Sequence, residues 1–318
     1  TACTRRILGF NAWRRAWHWV LRSTGGLLLS LPVLAPAQPV IDLQPLAPGV
    51  WWVAGAAGDA NEANRGAISN LLIVADGPRT WALGSGPSPV YGQALATAAR
   101  RTVGRPITDV IAPWSRPELV LGSSGMAKVR VWSHQVVTQQ MRERCTRCVE
   151  RLATRLGGAA SDLGTQPVRL ADHEFKGASG QLGPWRWWQL DRSTAGSGEH
   201  TTPQAVTLWW LARAGLWSAP GLIWTDGAPD LRDSNVTDLI AATTRLQALQ
   251  QELAGTTQRR TGRPTPPTAR WLPEQGAPAP ADIVARHLHY WHALQAAAEQ
   301  AWQDGASETD AAPQLVGV

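Results

Sequence analysis

In α/β chains the loops at strand ends carry the chemistry. One such loop comes after the run from Ile107 to Ile111, which reads as a buried parallel strand. The stretch Val110 to Ser123, V-I-A-P-W-S-R-P-E-L-V-L-G-S, places Arg116 and Glu118 there among apolar neighbours. Other chemistry-bearing residues are sparse. Cys145 and Cys148 form a lone C-x-x-C inside a segment of helical composition, with no second pair to complete a zinc site. They are open to two readings, a local disulfide or two free thiols. A thioredoxin-like role is disfavoured, because neither a βαβ lead-in nor a helix N-terminus that would lower a thiol pKa is evident. His287, His289 and His292 lie on the last expected helix without a carboxylate pair at helical spacing, and read as partly exposed helix residues. His134 starts a helix, His173 sits in a loop, and neither has a visible partner. No phosphate loop is present, and Ser197 in Gly196-Ser197-Gly198 is not a nucleophile elbow.

The rest of the chain must position that loop. At 318 residues, with 44% hydrophobic and 17% charged content, it is long enough for one large globular domain. The formal net charge of +6 does not argue for nucleic acid: Arg5, Arg6, Arg14, Arg15 and Arg22, with no acidic residue among residues 1–37, supply five of those charges. This basic start, the apolar run from Gly26 to Leu34 and the small-x-small site Ala35-Pro36-Ala37 together predict an export leader over residues 1–37. Arg5-Arg6 and Arg14-Arg15 leave both the general and the twin-arginine routes open. An amphipathic helix carrying Trp13, Trp17 and Trp19 is the competing reading of the same segment. No apolar stretch reaches the roughly 20 residues a membrane span needs.

Residues 38–304 are read as the folded domain and residues 305–318 as a flexible tail. Strands are expected at Val50 to Ala54, Ile68 to Ala75, Thr80 to Leu83, Ile107 to Ile111 and Val129 to Trp132, with helices at Pro89 to Val103 and Gln139 to Leu156. The second half predicts strands at Trp185 to Leu190, Val206 to Leu211, Gly221 to Thr225 and Ala269 to Leu272. It also predicts a helix from Ser234, as N-cap, to Leu253, a loop from Gly255 to Pro267, and a last helix from Ala281 to Gln303. Two β-then-α halves predict two sheets packed face to face with helices outside. Of the 18 tryptophans, Trp185, Trp187, Trp188, Trp209 and Trp210 fall in strands and read as core; the adjacent pairs must point to opposite faces.

Three motifs, in order, carry a resemblance: Asn64-Arg65-Gly66-Ala67-Ile68-Ser69-Asn70, Gly84-Ser85-Gly86-Pro87-Ser88-Pro89, and Asp230-Leu231-Arg232-Asp233 before a helix. Over about Leu46 to Gln303 the chain resembles the metallo-β-lactamase fold superfamily, and within it exported metallohydrolases found beside quinoprotein dehydrogenase systems. The resemblance implies an α/β fold, a four-layer αββα sandwich. It also implies a ligand loop H-x-H-x-D-H, whose four ligand positions fall here on Trp114, Arg116, Glu118 and Leu119. Trp and Leu cannot ligate, and the fixed guanidinium charge repels a cation. A downstream histidine is kept as His200 and a bridging aspartate as Asp226, while the last histidine position is Gln275 and the usual acidic position before the first helix is Gly84.

Glu118, His200 and Asp226 therefore remain as residual ligand positions, a His with two carboxylates. The resemblance with these losses implies a catalytically inactive periplasmic accessory or binding protein, needing no metal cofactor and keeping a periplasmic protein partner or a small anionic ligand in the old cleft. The alternative is a hydrolase with a reduced, mononuclear site holding one zinc or iron, which would activate a bound water. Arg116 is expected to pair with Asp226, Glu118 or both as an internal surrogate cation.

Overall fold

The chain divides into two units, residues 1–37 and 38–318. The computed structural model describes residues 39–193, 204–227, 229, 231, 234–261 and 269–314. The expected leader, His200, Asp230, Arg232 and Asp233 lie outside the described residues.

The first sheet is built from β1 (Gln44–Ala47), β2 (Val50–Val53), β3 (Leu71–Asp76), β4 (Arg79–Leu83), β5 (Asp109–Ala112), β6 (Arg130–His134) and β7 (His173–Phe175), in that spatial order. Strands β1 to β4 form an antiparallel meander, whereas β4 to β7 pair in parallel through crossovers. The second sheet runs β13 (Ala279–Pro280), β12 (Arg270–Leu272), β11 (Leu216–Ser218), β10 (Gln204–Leu211), β9 (Trp185–Ser193), β8 (Ser179–Leu182). Helices α1 (Pro89–Val103), α2 (Pro117–Val120), α3 (Gln135–Leu156), α4 (Val236–Thr261), α5 (Ile283–Gln303) and α6 (Glu308–Gln314) complete the chain. No helix among the described residues is long and apolar enough to cross a membrane.

The two-residue period of the strands sorts side chains into two cores. Val50, Leu72, Val74, Trp81 and Ile111 of the first sheet meet Trp185, Trp187, Trp209 and Leu211 of the second in one cluster. Their neighbours Ile73, Ala82, Val110, Trp188, Val206 and Leu208 belong to the other cluster, with the apolar faces of the helices. Trp187 and Trp188 thus divide between the two cores, and Trp210 packs on the cluster opposite to that of Trp209. This is the expected sandwich of two sheets with helices on the outer faces.

Helix α1 coincides with its sequence reading because its boundaries are local. Ser88 Oγ accepts from the Tyr91 N–H at 3.1 Å, Pro89 starts the helix, and Gly104 closes it at φ +79°. Ser88→Ala should cost about 1 kcal/mol by removing that cap bond, measurable as a shift of the urea midpoint with unchanged slope.

Several local readings need correction. The strand expected at Gly221 to Thr225 is instead β11, Leu216–Ser218, because a turn intervenes: Leu222 and Ile223 N–H groups both donate to Ala219 O. The Cys-bearing helix begins at Gln135 rather than Gln139, capped by His134, whose Nδ1 accepts from the Val136 N–H. His173, expected in a loop, stands in β7 with its ring stacked on Trp132 at 4.4 Å. Asn235, not Ser234, sits at the start of α4, its Oδ1 accepting from the Asp238 N–H at 2.8 Å. The same helix runs on to Thr261, through much of the segment expected as a loop from Gly255. Helix α6 lies within the expected tail.

Candidate functional site

The loop after β5 is fixed along its length by long-range hydrogen bonds. Pro113 O accepts from Thr207 N–H at 3.0 Å and from Thr207 Oγ1 at 2.8 Å. Ser115 Oγ donates to Gln140 Oε1 at 3.1 Å, and Leu119 O accepts from the Ser85 N–H at 2.8 Å. Beyond Leu119 the backbone packs directly on backbone: a Cβ at Gly122 would sit 1.9 Å from Ser85 O, and one at Gly92 of α1 would sit 1.9 Å from Gly122 O. Glycine at 92 and 122 is therefore required by close approach.

On this rigid loop the side chains divide. Trp114 and Leu119 are each 1% exposed and point into the core. Leu119 closes the position before α1: a Cβ on Gly84 (φ +78°) would lie 2.6 Å from Leu71 Cδ2 and 3.1 Å from Leu119 Cδ2, leaving no room for an acidic side chain. The Trp114 ring carries two guanidiniums, with Arg116 Cζ 4.5 Å and Arg192 Cζ 4.8 Å from its centroid. Arg192 is fully buried and donates Nε–H to Gly221 O at 2.8 Å.

Arg116 and Glu118, by contrast, line a cavity of about 410 Å³ together with Gly58, Asp59, Ile68, Trp224, Gly227, Pro229, Leu231, Glu274 and Gln275. Gln275 thus joins the loop residues at one site. Asp226 is exposed on the neighbouring loop, packed against the turn where a Cβ on Gly276 would meet its Cβ at 2.9 Å. The expected bridge does not form: among the described residues no ion pair joins Arg116 to Glu118 or Asp226. The guanidinium lies over the Trp114 ring in the cavity wall. His200 lies outside the described residues.

Three residues that shape this cavity were not singled out as site residues from sequence. Glu274, 7% exposed, accepts from Ser69 Oγ at 3.3 Å and from the Gly221 N–H at 2.8 Å. Asn70 ties the N-R-G-A-I-S-N segment to the P-E-Q-G turn: its Nδ2 donates to Pro273 O at 2.9 Å and Gly276 O at 2.8 Å, while Oδ1 accepts from the Gly55 N–H at 2.9 Å. Asn70 stands in the Asn64 to Asn70 motif and Glu274 beside Gln275, without a sequence signal for the contact between the two segments. His287 is buried, against the reading of it as partly exposed, and its Nε2 accepts from the Trp224 N–H at 3.1 Å. Its signal was available, since Val284 and Trp291, three before and four after it, share its buried helix face. Burial, together with the nearby Arg286 charge and against a backbone hydrogen bond at Ile283, lowers its pKa to about 4.

The C-x-x-C of α3 borders the same loop. Cys145 and Cys148 are not bonded to each other; Cys145 is buried and Cys148 half-buried. Burial, and then the charges of Cys148 and Glu118, push the Cys145 thiol up to about 12, the wrong direction for a nucleophile at neutral pH. The motif's basic surroundings are Arg151, whose guanidinium lies 3.6 Å from Cys148 Sγ, and Arg155; with Arg116 and Glu118 they border a second cavity of about 80 Å³. Arg65, in the Asn64 to Asn70 segment, donates to both carboxylate oxygens of the buried Asp162.

A dinuclear metal centre does not fit these residues. Trp114 and Leu119 bring carbon where ligands would be needed, Arg116 brings a positive charge to the cavity wall, and Gly84 has no space for an acid. Among the described residues no group of three or more His, Cys, Asp or Glu side chains is placed to hold a metal ion.

Against known proteins, no family model and no curated protein sequence matches the chain. Solved structures do. A metallo-beta-lactamase from Hirschia baltica superposes with a TM-score of 0.54 at 12% identity, over 79% of this chain and 97% of that one. One from Erythrobacter litoralis gives 0.55 at 13% identity, over 79% and 96%. The FIM-1 enzyme from Pseudomonas aeruginosa, in a mono-zinc form, gives 0.54 at 12% identity, over 80% and 98%. The chain has the metallo-β-lactamase fold.

Proposed function

We propose that this chain is a catalytically inactive metallo-β-lactamase-fold protein, exported to the periplasm, where it acts as an accessory or binding protein through the cleft of the fold. The observation that carries this reading is the loop from Trp114 to Leu119. It is bonded along its length to Thr207, Gln140 and Ser85, with Trp114 and Leu119 packed into the core and Arg116 laid on Trp114. Hydrolysis on this fold rests on a metal that lowers the pKa of a bound water. A loop that presents Trp, Arg and Leu cannot assemble that centre without unpacking the core.

Metal analysis of the purified protein, with turnover of chromogenic β-lactam and ester substrates in added zinc or iron, tests the reading. The expected result is metal well below one equivalent and turnover at background. A chelator should leave the thermal midpoint unchanged, since the loop is held by protein groups. Stoichiometric zinc or iron whose removal abolishes turnover would establish the mononuclear hydrolase instead, with Glu118, His200 and Asp226 as ligands.

A further inference from the structure

We propose that Cys145 and Cys148 form a thiol-modification site: Cys148 takes up one half of a small disulfide, and Cys145 resolves the adduct into a reversible disulfide within α3. The site is independent of the non-catalytic reading, which leaves both thiols unused. They stand three residues apart on one helix and are not bonded to each other. The charge of Cys148 contributes to the raised pKa of Cys145, as that of a close neighbour does.

Exposure assigns the two roles. Cys148 is half-buried and opens, with Arg151 and Leu152, onto the cavity of about 80 Å³ beside Pro117 and Glu118. Arg151 Nη2 donates to its sulfur at 3.6 Å, which gives it the cationic neighbour that accompanies nucleophilic thiols. Cys145 is 1% exposed, and burial is the main reason that it stays protonated. It therefore acts second, once the helix opens.

Helix geometry makes the disulfide possible but not relaxed. Residues three apart on a helix have Cα atoms about 5 Å apart, within the roughly 4.4–6.8 Å that a disulfide spans. Their Cβ atoms are about 5–6 Å apart, whereas a disulfide needs roughly 3.5–4.5 Å. Closing the bond requires the turn from Cys145 to Cys148 to open, which also brings Cys145 to water. Met141 before the turn and Leu152 and Leu156 after it are held in the core, so the opening stays local. A bond under that strain is readily reduced, which suits a reversible modification.

The chemistry is thiol–disulfide exchange in two steps. Cys148 Sγ attacks one sulfur of the small disulfide, whose S–S bond breaks; a mixed disulfide forms and one thiolate leaves. Cys145 Sγ, its proton lost to water, then attacks Cys148 Sγ and displaces the second thiolate. Two protein thiols are oxidised and one small disulfide is reduced to two thiols.

The test is to expose the full, reduced chain to oxidised glutathione, block remaining thiols with N-ethylmaleimide, and map tryptic peptides by mass spectrometry. Cleavage after Arg144, Arg147 and Arg151 places the two cysteines on separate peptides, 145–147 and 148–151. Oxidised protein should yield these two joined and two hydrogens lighter than their sum, and dithiothreitol should separate them. Cys145→Ala should stop at a glutathione adduct on 148–151, and Cys148→Ser should leave 145–147 unmodified. The wild-type map does not depend on either variant folding. Failure to find the joined peptides, a glutathione adduct that persists on wild-type Cys148, or an adduct on Cys145 in Cys148→Ser as fast as on Cys148 in Cys145→Ala would each overturn the proposal.

Discussion

Asn70→Ala should destabilise the protein by about 4 kcal/mol. The side chain satisfies three backbone groups at once, the Gly55 N–H and the carbonyls of Pro273 and Gly276, across 203 and 206 residues of sequence for the two carbonyls. Each group left without a partner costs about 1–3 kcal/mol, and Asn70 is only 5% exposed, so water cannot readily replace it. The loss also releases the turn that carries Glu274 and Gln275, so the cavity wall should loosen with the fold. Asn70→Asp should be no milder, because it sets a carboxylate oxygen against two carbonyls that need a donor. Urea unfolding of the two variants measures both effects; a change below about 1 kcal/mol for Asn70→Ala would show that the Asn64 to Asn70 segment and the 273–276 turn are held by other contacts.

Acid should destabilise the protein through His287. Its folded pKa is lowered to about 4, chiefly by burial, against an ordinary value of about 6.5. The unfolded chain therefore binds the proton first. Stability from this residue is complete above about pH 6.5, is lost progressively as pH falls to about 4, and changes no further below that. The total is about 3 kcal/mol. Burial likewise lowers the pKa of His134, so that residue acts in the same sense. The structural cause at His287 is specific: its Nε2 must be unprotonated to accept from the Trp224 N–H, and protonation frees the segment that leads to Asp226. Thermal midpoints between pH 7.5 and 4 for the wild type and His287→Gln test this. The variant should be less stable at pH 7.5 and the two should converge toward pH 4; parallel curves would exclude His287 as the source.

The sequence reading succeeded where structure is local. Helix α1 carries its own signals in Ser88, Pro89 and Gly104, and its boundaries come from them. Strand β5 is buried along its whole length and pairs in parallel on both sides, as expected; the one acid in it, Asp109, accepts from Arg130 Nη2 and Trp132 Nε1. It failed where a tertiary partner decides. Gly221 to Thr225 has strand composition, but the turn at Ala219 and the bond from Gly221 N–H to Glu274 take it out of the ladder, and Ile223 and Thr225 keep only isolated bonds to the P-E-Q-G turn. The short strands β1 and β8 were not expected as strands, and His173 of β7 was read as loop; each becomes a strand because a neighbour offers an edge.

The sequence alone determined the sandwich, through the order and periodicity of its elements, and the chemistry missing from the loop after β5. No conformation gives Trp114 or Leu119 a metal-binding atom, or removes the charge of Arg116. Only the tertiary structure decided what those residues do instead. It turned Trp114 and Leu119 into the core, laid Arg116 on the Trp114 ring, and left Glu118 nearly buried in a cavity wall. It also brought Asn70 to the 273–276 turn and His287 to Trp224. The physical reason is that donor and acceptor chemistry belongs to a residue type, whereas burial and partnership are set by packing among segments that sequence separates by as many as 206 residues.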